Sequence, residues 1–353
     1  MLPDRAGLVS LPDLAGGGAS APLLDDAGQV VDPLLFVDLD APASPALLRA
    51  ARNAAGAAGR ILVGVRTREP FEEPWHDLLA ALDVTLSPAG PDDIGTPRTC
   101  VPAAEASLLW TAATANPQAA LVLAQVLRAG EALDVHAALD LESFAYSTLL
   151  GGAEFRRWLD GRGPRPLPPP AQAPPVLVDR TADHMLITLN RPERRNAYGR
   201  ELRDAFVDAL RVAALDSTID RVTIAGSGPS FCAGGDLDEF GTTPDTTTAH
   251  FVRTRGGAGD LLHQIASRTE ARLHGACVGA GPELAAFAGH VVASAGTVVR
   301  LPEVGMGLIP GAGGTVGIPR RIGRWRTLYL ALSNAWLDAA TSAQWGLVDE
   351  TTP

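Results

Sequence analysis

The chain contains no lysine; all 29 of its strongly basic side chains are arginine. That excludes Schiff-base chemistry on a side-chain amine and a lysine clamp on phosphate, so an anionic ligand must be held by arginine or by backbone N–H groups. Cysteine is scarce. The three present (Cys100, Cys232, Cys277) are odd in number, far apart and without metal-ligand spacing, which points to reduced, buried thiols in a cytoplasmic protein. No apolar run approaches the roughly 18 residues of a membrane span. The N-terminus has no basic start followed by an apolar core, so no signal peptide is expected. Basic excess is missing too: the net charge is −11, a poor prior for nucleic acid or anionic membrane binding.

What is present is an ordinary globular composition, 46% hydrophobic and 20% charged. With 353 residues, and about 150 residues per domain as a prior, two domains are expected. The clearest boundary is GPRPLPPPAQAPP, residues 163–175, whose seven prolines read as a stiff, extended linker. Before it, residues 1–33 read as loop or tail. Residues 34–162 read as a small βαβ-like unit (LLFVDLD, PALLRAARNAAGAAG, RILVGV), a looser segment with a helix near Trp75–Leu82 and a possible strand near Val84, and then a mainly helical stretch from Pro102. After the linker, residues 176–353 alternate strand and helix. Strands are expected at VLVDRT and HMLITLN and at RVTIAGSG. Helices are expected over Tyr198–Ala214, over His250–Ala266 after a loop at 242–249, and over Trp325–Leu332.

One stretch organises the second half. A glycine turn, Gly279 to Gly281, runs into Pro282 and Glu283, with proline suited to the first turn of a helix. Twenty residues later Glu303 precedes a second glycine-rich loop, Gly305 to Gly317. Two carboxylates therefore each adjoin a loop whose bare backbone N–H groups can approach a ligand. That combination suggests acid–base chemistry beside an anion-stabilising site.

Three motifs, LNRPERRNAY (189–198), FCAGGDLDEF (231–240) and the GAGPE…LPE…GLIPGAGGT run (279–315), resemble in order and spacing those of the crotonase (enoyl-CoA hydratase/isomerase) superfamily. The resemblance covers residues 176–353. It implies an α/β fold, a crotonase-like spiral of ββα repeats, here preceded by the mainly helical N-terminal region. It also implies acyl-CoA thioester chemistry through an enolate whose oxygen is held by two backbone N–H groups. By position these are Gly235 and Ala280, the latter a residue where the family often has glycine. Glu283 and Glu303 match the two carboxylates that hydratases set around one water.

Ala233, Gly234 and Asp236 would line the acyl-CoA channel beside Gly279 and Gly281, with Asp236 bracing its loop. Arg194 and Arg195 are candidates for the CoA phosphates. Hydration of a 2-enoyl-CoA is the favoured activity. Isomerisation, another crotonase-type lyase or hydrolase reaction, and a non-catalytic acyl-CoA-binding or accessory role remain as alternatives. No cofactor is expected beyond the CoA thioester itself, and no metal, nicotinamide or flavin site is evident. A homo-oligomer, trimer or hexamer, is implied by the resemblance alone. His274 reads as structural, and neither Cys232 nor Cys277 has the surroundings of an activated thiolate.

The family's helical cover over the acyl pocket does not follow GLVDETTP here. Residues 104–162 resemble that cover, and the strand–helix–strand before them resembles a worn first unit of the same core. The expectation is that these helices, in cis or from a neighbouring subunit, close the pocket.

Overall fold

A computed structural model describes residues 8–67, 75–88, 99–102 and 106–353. Parts of the expected tail (1–7) and of the looser segment (68–74 and 89–98) lie outside the described residues.

The N-terminal region opens with a short helix, α1 (Leu11–Ala15), inside what was expected to be tail. A parallel sheet follows: β1 (Leu34–Asp38), β2 (Ile61–Val65), β3 (Val84–Ser87) and β4 (Cys100–Pro102), in that spatial order. Crossovers α2 (Pro45–Gly56) and α3 (His76–Ala81) join its first three strands. The βαβ-like unit thus extends to four strands. α2 starts where the sequence signals it, with Ser44 capping Leu47 N–H at 3.2 Å and Pro45 in the first turn. Four helices come next: α4 (Ala106–Ala115), α5 (Pro117–Gly130), α6 (Val135–Leu150) and α7 (Ala153–Arg162). Asp134 caps α6 through Ala137 N–H. The open N-terminus of α5 is capped from α7, where Glu154 accepts from Gln118 and Ala119 N–H at 2.8 and 3.0 Å.

Beyond residues 163–175 lie β5 (Val176–Thr181), β6 (His184–Leu189), α8 (Arg200–Leu215), β7 (Arg221–Gly226), α9 (Thr246–Gly256), α10 (Gly259–Gln264), β8 (Thr269–Leu273) and β9 (Ala276–Val278). They are followed by α11 (Ala280–Ala285), β10 (His290–Ser294), β11 (Val298–Arg300), α12 (Gly314–Ser333), β12 (Leu337–Asp338), α13 (Ala339–Trp345) and β13 (Glu350–Thr352). The six-stranded sheet runs β13-β10-β8-β7-β6-β5, parallel except for the antiparallel edge pair β5–β6. A second sheet, β12-β11-β9, lies beside the glycine turn.

Several expectations shift. The stretch 242–249 is not all loop, because Asp245 caps Thr248 N–H at 2.7 Å and starts α9 at Thr246. The single helix expected over 250–266 is two, broken where Gly257 turns to extended backbone. The stretch VVASAGTVV contributes to two strands, β10 and β11, in two different sheets. FCAGGDLDEF leads into turns.

The proline-rich stretch does not separate two cores. One hydrophobic cluster runs from Leu34, Phe36 and Ile61 through α5 to Val348, and a smaller one fills the other face of the first sheet. A buried charged knot ties the halves together. Asp83, 1% exposed, accepts from Leu62 N–H (2.8 Å), Arg128 Nε (2.8 Å) and Arg324 Nη1 (3.4 Å). Trp325 Nε1 donates to Leu82 O at 3.1 Å, fixing α12 against the first sheet. Among the described residues no helix is long and apolar enough to cross a membrane.

Candidate active site

α12 begins at the glycine-rich loop, with Gly313 at its N-cap in a left-handed conformation (φ 101°) that offers no side-chain cap. The first N–H groups of such a helix have no intrahelical acceptor and carry the positive end of its dipole. Two carboxylates from elsewhere take them in alternation. Glu283 Oε2 accepts from Ala312 N–H (2.6 Å) and Gly314 N–H (3.0 Å). Glu142, on α6, accepts from Gly313 N–H (2.7 Å) through Oε1, and from Thr315 N–H (2.8 Å) and Thr315 Oγ1 (2.7 Å) through Oε2. Gly314 must lack a side chain, since a Cβ there would lie 2.6 Å from Glu283 Cγ.

Glu283 reaches this loop from α11. That helix starts at Ala280 after Gly279, whose φ of 49° and ψ of −116° turn the chain. The unusual conformation falls on Gly279, so alanine at position 280 sits in an ordinary helical start. Pro282 lies in the first turn, where a missing N–H costs no intrahelical bond. Beside this turn runs Phe231–Asp236: Val278 N–H donates to Cys232 O at 3.0 Å, and Gly234 (φ 99°) precedes Gly235. Among the described residues neither Gly235 nor Ala280 N–H has an internal acceptor, and both residues line one cavity with Glu142, Glu283 and Glu303. The cavity holds about 240 Å³.

Glu303 enters from the short turn after β11. Its Oε1 would be 2.5 Å from a Cβ on Gly279, which glycine alone permits. Its Oε2 is buried and has no hydrogen-bond partner among the described residues. Glu283, Glu303 and Glu142 are 2%, 8% and 2% exposed. Burial pushes all three carboxyls up. For Glu283, well above the ordinary range, the Glu303 and Glu142 charges add to burial, while the Ala312 and Gly314 amides oppose it. Burial and Glu142 raise Glu303 to about 8, against its own backbone N–H. Glu142 rises to about 7 by burial, opposed by its Thr315 and Gly313 donors and by Arg253. Three carboxyls this close do not all ionise at neutral pH, so the cluster retains protons.

α6 and α9 wall the cavity with Leu139, Ser143, Tyr146 and Arg253. Arg253 stacks over the Tyr146 ring at 4.3 Å and donates to Ser147 Oγ at 2.5 Å. Neither Glu142 nor Tyr146 stood out in the sequence. Glu142 lies in the helical stretch before the linker, and its partners are 171 and 173 residues away. Asn196 carried a usable signal, lying within LNRPERRNAY. Fully buried, it donates from Nδ2 to Ser227, Ser230 and Phe231 carbonyls and accepts Arg191 N–H, shaping the loop into Phe231–Asp236.

The other expected ligand residues fare differently. Asp236 lines the cavity wall and braces its loop by a two-pronged pair with Arg194 (2.7 and 2.6 Å). Arg194, a candidate for the CoA phosphates, is already paired: Asp236 and Asp238 hold its guanidinium and raise its pKa. Arg195 is exposed in a left-handed conformation, and its carbonyl accepts Ala233 N–H at 3.0 Å. Arg194, Arg195, Ala233, Gly234, Gly279 and Gly281 all lie outside the cavity lining. Gly281 instead packs under the Cys232 carbonyl, 2.7 Å from where a Cβ would sit. His274 Nε2 meets Gly228 O at 2.9 Å, away from the cavity. Burial pushes the Cys232 thiol up to about 12 and raises Cys277 as well, the opposite of activation.

The sequence profile described as enoyl-CoA hydratase/isomerase matches residues 180–353. A 2,3-dehydroadipyl-CoA hydratase of Escherichia coli is 34% identical over 178 residues, covering 50% of this chain and 69% of the relative. A 1,2-epoxyphenylacetyl-CoA isomerase of the same organism is 32% identical, over 46% of this chain and 64% of the relative. Among solved structures, a carnitinyl-CoA dehydratase from Mycobacterium avium is 36% identical, covering 51% of this chain and 70% of its own, with a TM-score of 0.46.

Proposed function

Because the chain belongs to the enoyl-CoA hydratase/isomerase family, we propose that it adds water across the double bond of a 2-enoyl-CoA. The observation that carries this reading is one cavity holding two buried, differently partnered carboxyls and two unengaged backbone N–H groups. Burial and the neighbouring carboxyls favour the proton form of Glu283, but its Ala312 and Gly314 amides oppose them, so we assign it the role of base. Glu303, with an unpartnered oxygen, is the better site for a proton.

In the forward step Glu283 takes a proton from water as the water oxygen bonds to Cβ. The double-bond electrons shift toward the thioester, whose oxygen becomes an enolate held by Gly235 and Ala280 N–H. Each such donor is worth about 10²–10³ in rate. The enolate then collapses, and Cα takes the proton of Glu303. Glu283 now holds the proton that Glu303 has lost, and exchange between them through solvent restores the start. Asp236 acts by keeping the Gly235 loop in place, and no step requires a metal, flavin or nicotinamide.

The N-terminal helices complete the same reading. α6 supplies part of the cavity wall, which supports residues 104–162 as the cover over the acyl group. The sequential parallel strands β1 to β4 are what a worn first unit of the core would leave. The test is hydration of crotonyl-CoA and longer 2-enoyl-CoAs, followed by loss of enoyl-thioester absorbance. Glu283→Gln and Glu303→Gln should each lower kcat by at least about 10²-fold, as for loss of an acid or base. Turnover undiminished in Glu283→Gln would sink the assignment.

A further inference from the structure

The reading above leaves one buried carboxylate unused. Glu142 comes from the helix before the proline-rich stretch, yet it sits inside the catalytic cavity with all three of its hydrogen bonds made to the loop at Gly313–Thr315. Those donors interleave, residue by residue, with the Ala312 and Gly314 amides that hold Glu283. The loop cannot shift toward or away from Glu142 without moving the donors that orient Glu283.

We propose, resting on the hydratase reading, that Glu142 is a positioning residue for the reaction: its clamp on Gly313 and Thr315 sets the loop that aims the Glu283 carboxylate, so the N-terminal helix completes the active site within the same chain.

Two features make the clamp more than a helix cap. Tyr146, one turn along α6, presses against Gly311 so closely that a Cβ there would lie 2.3 Å from its ring, so the same helix fixes the loop at both ends. And the charged groups facing Glu142 are those of the site itself: Glu283, Glu303, Tyr146 and Arg253, with His250 hydrogen-bonded to the neighbouring Ser143. A change at Glu142 is therefore felt by Glu283 both as geometry and as charge.

The test is kinetic and uses the full chain. Glu142→Gln keeps the size of the side chain but turns an N–H donor toward one of the loop amides. It should lower kcat by about 10²-fold, the scale of an ångström-sized misplacement of a reacting group, with KM changed no more than about threefold. Removing the Glu142 charge also removes one cause of the raised Glu283 pKa, so the acid limb of kcat should move to lower pH. If Glu142→Gln does not fold, Thr315→Val carries the test by deleting one donor, with Thr315→Ser restoring it. Wild-type kcat in the folded variant, or a loss that tracks unfolded fraction with KM and pH profile unmoved, overturns the proposal. Should the wild type hydrate no enoyl-CoA, the functional reading fails by itself. The coupling is then read from carbon-13 titration of Glu283, and a midpoint unmoved by Glu142→Gln overturns it as well.

Discussion

Glu303→Gln should make the protein more stable while nearly abolishing its activity. Glu303 is buried beside two other carboxyls, and its Oε2 has no partner among the described residues. Its carboxyl rises from 4.5 to about 8. At about 1.36 kcal/mol per pH unit that rise sets a ceiling near 5 kcal/mol on the cost of ionising it in the folded state. Water entering the cavity screens part of this, and the neighbours share protons, so a gain of about 1–3 kcal/mol for the neutral amide at pH 8 is expected.

The sign follows from linkage. Between the unfolded value and about 8 the folded state binds more protons than the unfolded one, so wild-type stability falls as pH rises through this window. Below it the carboxyl is protonated in both states, and Gln and Glu should differ little. The assay is urea unfolding of both proteins at pH 5 and pH 8. The reasoning predicts a gain that is large at pH 8 and small at pH 5. An equal gain at both values, or a loss at pH 8, would refute it.

Two further substitutions test the frame around the site. Asp83→Asn takes from Arg128 its carboxylate and leaves Arg324 only Glu131, and should cost up to about 3–5 kcal/mol in urea unfolding; a loss under 1 kcal/mol would show that the knot does not join the halves. Asn196→Ala removes donors and an acceptor from four backbone partners, three of them buried, at about 1–3 kcal/mol for each buried group left unpaired. It should lower both melting temperature and kcat, through the loop leading to Gly235, and unchanged kcat in the folded variant would detach that loop from the site.

Much of this was legible in the sequence because the relevant signals are local. The glycine turn before Glu283, with Pro282 suited to a helix start, acts over a few residues, as do the strand runs of β5 and β6. The carboxylates at 283 and 303 stand beside glycine-rich loops, the amides at 235 and 280 were implied by the family resemblance, and all four line one cavity. What escaped was long-range. Glu142 shows only as a polar position on a helix until folding places it against Gly313 and Thr315. The proline-rich stretch looked like a domain boundary, yet elements on either side of it share one core. Nor does a sequence show that Asp236 and Asp238 pair with Arg194.

The central claim is that a water molecule becomes part of the product. Turnover of a 2-enoyl-CoA in oxygen-18 water, read by mass spectrometry, tests it most directly. The account predicts a product heavier than the substrate by one labelled water, with the heavy oxygen on Cβ, and one solvent deuterium on Cα when the run is repeated in heavy water. A product of the substrate's own mass, with the double bond moved and no heavy oxygen, would contradict hydration and make the chain an isomerase.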